Sequence, residues 1–376
     1  MDISLILRFM VERNASDLFF STGAPPNIKI EGVSTPVGHA PLPPGAIKEI
    51  AYSIMTEEQI DEFEQKLEMN FAYSAPSIGR FRVNVFRQRG EVGMVMRHIK
   101  TDIPDITLLK LPPVLKDVIM EHNGLILVCG PTGAGKSTTL AAMVDYRNRN
   151  KTGHILTIED PIEYLHAHKQ SIIDQREIGV DTHSYHDALR NALREAPDVI
   201  LIGEIRDAEA MEHAVTFAQT GHLCLATLHA NNTKQAFERI RHFYPPEKQR
   251  QVMFDLSLVV RGIISQKLIP NIQGKRLPVM EIMLRSPDIV ELIQKDELDN
   301  IVKAIESNSN DGMMTMDQHL YNLYKQGELD QETALYHAES RTNLSLRMRL
   351  GDDDKGANKS TILGQNQNKS PFSTEL

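Results

Sequence analysis

One run of eight residues restricts the fold of this chain more than any other feature. Gly130-Pro131-Thr132-Gly133-Ala134-Gly135-Lys136-Ser137 fits the pattern G-x-x-x-x-G-K-[ST], and Thr138 follows it. Such a loop works between a buried strand and the first turn of a helix, where its backbone N–H groups converge on a phosphate. The flanks meet that demand. LILVC (125–129) is an apolar strand run, and STTLAAMVDYR (137–147) reads as a helix. Three further apolar runs, HILTI (154–158), DVILI (198–202) and LCLATL (223–228), alternate with helical stretches. Alternation of this kind predicts the α/β class, with a parallel sheet covered by helices.

The ends of those strands carry the reactive residues, as expected where an open α/β sheet binds ligands. Lys136 is placed to reach the β- and γ-phosphates of a nucleotide, and Ser137 to ligate Mg²⁺. Glu159-Asp160-Pro161-Ile162-Glu163 puts three carboxylates after the second strand, and a carboxylate there can orient a water for attack. Val199 to Ile202 run into Gly203-Glu204, the form of a strand whose terminal carboxylate faces Mg²⁺. His222 and His229 flank a six-residue strand run and lie too far apart to share a metal, over ~20 Å at about 3.3 Å per residue. His229, at the C-terminal end, is the better phosphate contact. His166/His168 and His183/His186 are also closely spaced, but no third ligand is evident beside either pair, so zinc is not expected there.

The first hundred residues read differently. Residues 2–14 are patterned as a helix, 17–37 as short strands, 47–69 as a helix and 80–99 as a β-hairpin. In the hairpin Phe81, Val83 and Val85 alternate with Arg82 and Asn84, and Val92, Met94 and Met96 with Gly93, Val95 and Arg97. Residues 1–100 are therefore expected to form a small α+β domain. Residues 101–113 form a Pro-bearing linker, and 233–350 are expected to be mainly helical. The segment 351–376 is so poor in apolar residues that it is expected to be disordered. The formal charge is −9, from 41 Lys+Arg and 50 Asp+Glu. That balance argues against a protein whose main task is coating nucleic acid. Two cysteines, Cys129 and Cys224, rule out a disulfide scaffold by count and read as core residues of a reducing compartment. No apolar run approaches the roughly 20 residues of a membrane span. The N-terminus, with Asp2, Arg8, Glu12 and Arg13, does not read as a secretory signal.

Taken in order, GPTGAGKST, ILTIEDPIEY, DVILIGEIRD and TGHLCLATLHANN resemble the Walker A, Asp box, Walker B and His box of the secretion ATPases of the type II and type IV pilus class. The resemblance continues through RFRVNVF in the hairpin and ISQKLI (264–269), and covers residues 1–345. It implies a PAS-like N-terminal domain (1–100), a RecA-like P-loop core (114–345) and a homo-hexamer. It implies Lys136 on phosphate, Ser137 and Glu204 toward Mg²⁺, Glu163 as catalytic base and His229 as a γ-phosphate contact. Arg82 and Arg97 match hairpin arginines that approach the nucleotide. The short first domain is similar to that of the pilus-retraction branch. The chain departs from that branch at Ala196, where an Asp is usual, and over IESNSNDGMMTMDQHL (305–320). These departures imply an accessory role beside a PilT-like retraction ATPase. The implied cofactors are ATP and Mg²⁺. The implied partner at the membrane is the inner-membrane pilus platform protein, met from the cytoplasmic face, with no direct contact to nucleic acid. A nucleotide-binding regulatory subunit with little turnover of its own is the alternative.

Overall fold

The computed structural model describes residues 3–30 and 32–350; the tail expected to be disordered lies outside the described residues. Ile3, Ile6, Leu7 and Met10 recur at helical spacing and are the buried face of α1 (Ile3–Glu12). Strands β1 (Asp17–Phe20), β2 (Asn27–Ile30) and β3 (Val33–Pro36) follow. The stretch 47–69, expected as one helix, is two: α2 (Ala46–Tyr52) and α3 (Glu57–Lys66). Thr56 makes the break. It is extended, its side chain accepts from Gln59 N, and the Gln59 side chain accepts from Thr56 N, a reciprocal cap that starts a new helix. Leu67 ends α3 in the left-handed region (φ 63°), and Met69 falls in a strand the sequence reading missed, β4 (Glu68–Ala75). Only Phe71 and Ala75 are buried along β4, so its alternation is weak.

The expected hairpin is present as β5 (Gly79–Gln88) and β6 (Glu91–Ile99). Its turn residues, Arg89 and Gly90, both have positive φ (51° and 81°), which suits the twist of a two-residue hairpin loop. These strands form one antiparallel sheet in the order β3-β2-β1-β6-β5-β4. Leu18, Phe20, Phe63, Phe81, Val83, Met94 and Met96 fill its core.

Residues 101–113 contain no helix or strand. Then come α4 (Val114–Ile119), β7 (Gly124–Cys129), α5 (Lys136–Asn150), β8 (Gly153–Glu159) and β9 (Ser171–Glu177). Next are α6 (Tyr185–Ala192), β10 (Val199–Ile202), α7 (Ala208–Gln219), β11 (Leu223–Leu228), α8 (Thr233–His242) and α9 (Pro246–Val259). The stretch 233–350 is mainly helical, as expected, but it also holds two strands that were not expected. β12 (Val260–Pro270) and β13 (Arg276–Leu284) are long antiparallel strands. Both are covered on their two faces over most of their length, so their apolar residues run on without alternation, and period alone cannot separate such a strand from a buried helix. Helices α10 (Pro287–Gln294), α11 (Ile301–Ser307), α12 (Met316–Lys325) and α13 (Gln331–His337) follow.

The second sheet has seven strands in the order β13-β12-β7-β11-β10-β8-β9. β10 runs parallel to β8 and β11, β8 to β9, and β12 to β7. The chain divides into two compact units that interleave along the sequence. The first comprises Met1–Leu108, Leu115–Gly124 and Ser137–Ala226; the second comprises Leu109–Val114, Leu125–Lys136 and Thr227 onward. Among the described residues no helix is long and apolar enough to cross a membrane.

Candidate active site

In the second unit, β7 is buried at every residue and delivers the chain into the glycine loop. Gly130 packs against β12 so closely that a Cβ there would lie 2.5 Å from Gln266 O and 2.9 Å from the Ala134 Cβ. Gly135 (φ 85°) is similarly confined, its notional Cβ 2.9 Å from Gln266 Nε2. The glycines are thus required by close approach and by backbone sign together. Buried Gln266 donates from Nε2 to Ala134 O at 2.6 Å and holds the crest of the loop. Lys136 folds back across it, with Nζ donating to Gly130 O (2.8 Å) and Pro131 O (3.1 Å). The Gly130 N–H reaches Leu228 O at 3.4 Å, so the start of the loop meets the end of β11 and the exposed His229 that follows. Cys129, immediately before the loop, is fully buried, and burial pushes its thiol up to about 12. It is an inert core residue.

The first unit holds α5 from Ser137 onward and the carboxylates. Ser137 is exposed in the first turn of a 15-residue helix, where free N–H groups and the helix dipole favour an anion. Thr138 Oγ1 lies 3.0 Å from the Tyr164 hydroxyl, which ties that turn to the segment after β8. Glu159 ends β8. It accepts from Thr157 Oγ1 (2.7 Å), Gln175 Nε2 (3.2 Å) and the Glu163 backbone N–H, yet burial outweighs these bonds and pushes its carboxyl up to about 7. Glu163 itself is exposed to water.

Glu204 and Asp160 come from different strands, and one guanidinium joins them. Arg206 donates from Nε to Glu204 Oε2 at 2.7 Å and places Nη1 3.5 Å from Asp160 Oδ2. Gly203 is a glycine because β8 and Tyr185 leave no room: a Cβ would lie 2.8 Å from Tyr185 Oη and 3.2 Å from Glu159 Cα. Burial raises the Tyr185 phenol, and the carboxylates of Asp160, Glu159 and Glu204 add to the rise. The hydroxyl therefore stays protonated beside them. Arg206, Tyr185 and Gln266 escaped the sequence reading. Arg206 stands two residues after Glu204, which is a usable signal; Tyr185 and Gln266 reach their places only through tertiary packing.

The hairpin arginines separate. Arg82 and Arg97 are cross-strand partners, but Arg97 donates from Nε to Asp17 Oδ1 at 2.7 Å within its own sheet. The charges of Arg80 and Arg82 act instead on Glu177 at the end of β9. Burial raises the Glu177 carboxyl, and these arginines and the Ile162 N–H (3.3 Å) pull it back. The first-domain hairpin is thereby linked through Glu177 to the loop that carries Glu163. His222, at the other end of β11 from His229, bonds to Thr220 Oγ1 (3.1 Å) and Phe217 O (3.2 Å).

The profile of the type II/IV secretion system protein family matches residues 3–328. The type IV pilus ATPase PilU of Pseudomonas aeruginosa is 49% identical over 363 residues, 96% of this chain and 95% of that one. The type IV pilus retraction ATPase PilT of the same organism is 41% identical over 343 residues, 91% of this chain and 100% of that one. A crystal structure of the pilus retraction motor PilT with bound ADP superposes with a TM-score of 0.84 at 41% identity, covering 90% of this chain and 98% of the other. The fold is accordingly the expected one, a RecA-like P-loop core with a smaller α+β N-terminal domain.

Proposed function

The chain belongs to the type II/IV secretion system protein family, and on that premise we propose that it is an ATPase motor of type IV pilus retraction, acting beside a PilT-like ATPase. ATP hydrolysis is the family's chemistry. The observation that carries the reading for this chain is the glycine loop. It is tight enough at Gly130 and Gly135 to exclude any side chain, and Lys136 lies across it. That cradle fits a nucleotide phosphate chain, and the retraction motor with bound ADP shares the fold around it.

Each residue's work follows from its chemistry. Lys136 neutralises the β- and γ-phosphates, and the first turn of α5 adds N–H donors. Ser137 and Glu204 are an oxygen donor pair suited to Mg²⁺, which when bound offsets charge on the phosphate oxygens. Glu163, exposed to water, takes the proton of the attacking water. His229, beside the loop, contacts the γ-phosphate. Arg206 holds Glu204 in place, and Arg82 supplies positive charge from the hairpin, whereas Arg97, expected beside it, is held by Asp17. The domain boundaries 1–100, 101–113 and 114–345, a homo-hexamer and a position at the cytoplasmic face of the inner membrane on the pilus platform protein belong to the same proposal.

The test is steady-state ATP hydrolysis by the full chain across a protein-concentration series, with Lys136→Ala as the blank. Activity per chain that rises with concentration and vanishes in Lys136→Ala is the expected result. Turnover unchanged in Lys136→Ala would overturn the site. Background activity at every concentration, restored on adding a PilT-like ATPase, would favour the regulatory-subunit reading to which the departures at Ala196 and 305–320 point.

A further inference from the structure

Away from the nucleotide residues, α6 and α7 pack side by side. Ala188 and Ala192 on α6 and Ala210 and Ala214 on α7 are all buried. On the outer edge of this pair stand three side chains with metal-binding atoms. Glu209 and His213 are one helical turn apart on α7 and so share a face. His186 comes from α6, and its Nδ1 contacts Glu209 Oε1. The rings of His186 and His213 are 6.4 Å apart, and His213 is steadied by the Phe217 ring at 5.8 Å. The ligand atoms of all three lie within 4.8 Å of one another. The sequence around His186 offers no third ligand; the packing of α6 on α7 supplies both others.

An exposed His–Glu pair contributes at most about 1 kcal/mol. Helical spacing brings His213 to Glu209; what α7 alone does not supply is a second imidazole on the same carboxylate, and His186 of α6 provides it. Two imidazole nitrogens and one carboxylate are a donor set that suits zinc and its neighbours, and three protein ligands leave a position open to water. Tetrahedral bonds of about 2.0–2.1 Å put ligand atoms ~3.4 Å apart, a spacing that small torsions of these side chains reach. The donor set is also unlike Ser137 and Glu204, whose oxygens suit Mg²⁺. We propose that His186, Glu209 and His213 form a site for a divalent transition-metal ion of the zinc class, completed by water, which joins α6 to α7.

The place of this site gives it consequence. α6 begins with Tyr185, whose hydroxyl crowds Gly203 and stands among Asp160, Glu159 and Glu204. α7 begins after its cap Asp207, next to Arg206. An ion that joins the two helices fixes the two elements that flank the Glu204 loop.

The experiment uses the full chain, stripped of metal by a chelator and free of nucleotide. Co²⁺ is titrated in and followed by visible absorption, then displaced with Zn²⁺. The expected result is one saturable Co²⁺ per chain with the intense band of a four-coordinate ion, displaced by Zn²⁺. His186→Ala, His213→Ala and Glu209→Gln should each weaken binding by about tenfold or more, since even groups outside a ligand set are worth about 10–100-fold. His39→Ala, an exposed histidine elsewhere, should leave binding unchanged. Zn²⁺ should raise the melting temperature of the parent chain and not of His213→Ala. Absence of saturable binding, or binding of equal affinity in the His186→Ala/His213→Ala double variant, overturns the proposal.

Discussion

Ala196 shows how one side chain can sit against its own backbone. It closes the turn after α6 in the left-handed region, at φ 51° and ψ 49°, and is exposed. A Cβ in that region costs about 1–2 kcal/mol, whereas Asn and Asp tolerate it through local hydrogen bonds. An Asp or Asn at this place is therefore the better fit to the turn. Ala196→Asn should raise stability by about 1 kcal/mol, read as a higher urea midpoint at unchanged slope; a lower midpoint would show that the turn relaxes around the alanine. The same scale explains what was legible in the sequence. Gly130, Lys136, Ser137, Glu163, Glu204 and His229 stand out in the sequence because they fall in local motifs at the ends of apolar runs. Arg206 and Tyr185 matter through whom they meet, and Arg97 is spoken for by Asp17, a partner 80 residues away.

At the scale of elements, caps and burial decide the outcome. The helix expected over 47–69 breaks because Thr56 and Gln59 cap each other, and the same device recurs at Thr315 and Gln318 to start α12. Thr315 is buried beside the bridge between Ile282 and Met314, so its cap anchors α12 within the 305–320 segment. Thr315→Ala should cost about 1 kcal/mol, and Thr315→Ser, which keeps the acceptor, much less. Equal losses in the two variants would show that methyl packing rather than the cap holds the helix. The sequence reading found β1, β2 and β3 as short runs between turn residues, and β5, β6, β7, β8, β10 and β11 as regular alternators or short apolar runs. Those it missed, β4, β9, β12 and β13, lack that simple signature, either because their burial is irregular or because both faces are covered.

For the whole molecule, buried titratable groups set how stability responds to pH. Burial lowers His166 and His319 to about 4, and His319 Nδ1 accepts from Met280 N, a role only the neutral ring can fill. The unfolded chain takes up these protons near the ordinary value of 6.5. Their contribution is complete above that value and is lost as pH falls from about 6.5 to 4. Glu159 works in the opposite sense. Its contribution is complete below the ordinary 4.5 and is lost as pH rises through about 7. Unfolding free energies measured from pH 4.5 to 7 should therefore fall less steeply toward acid in His319→Gln than in the parent, and more steeply in Glu159→Gln. Slopes that match the parent in both variants would show that other groups govern acid sensitivity.

The two cysteines have a use that neither their burial nor their chemistry was selected for. Cys129 and Cys224 are both 0% exposed, and desolvation holds both thiols far from ionisation. A maleimide has no native thiolate to attack. The natural chain is thus already a silent background for site-directed fluorescence: cysteines introduced on the surface become its reactive handles. A donor dye on α7 and an acceptor on the first-domain hairpin could then follow the chain through a cycle of nucleotide turnover, one molecule at a time, without removing either native sulfur.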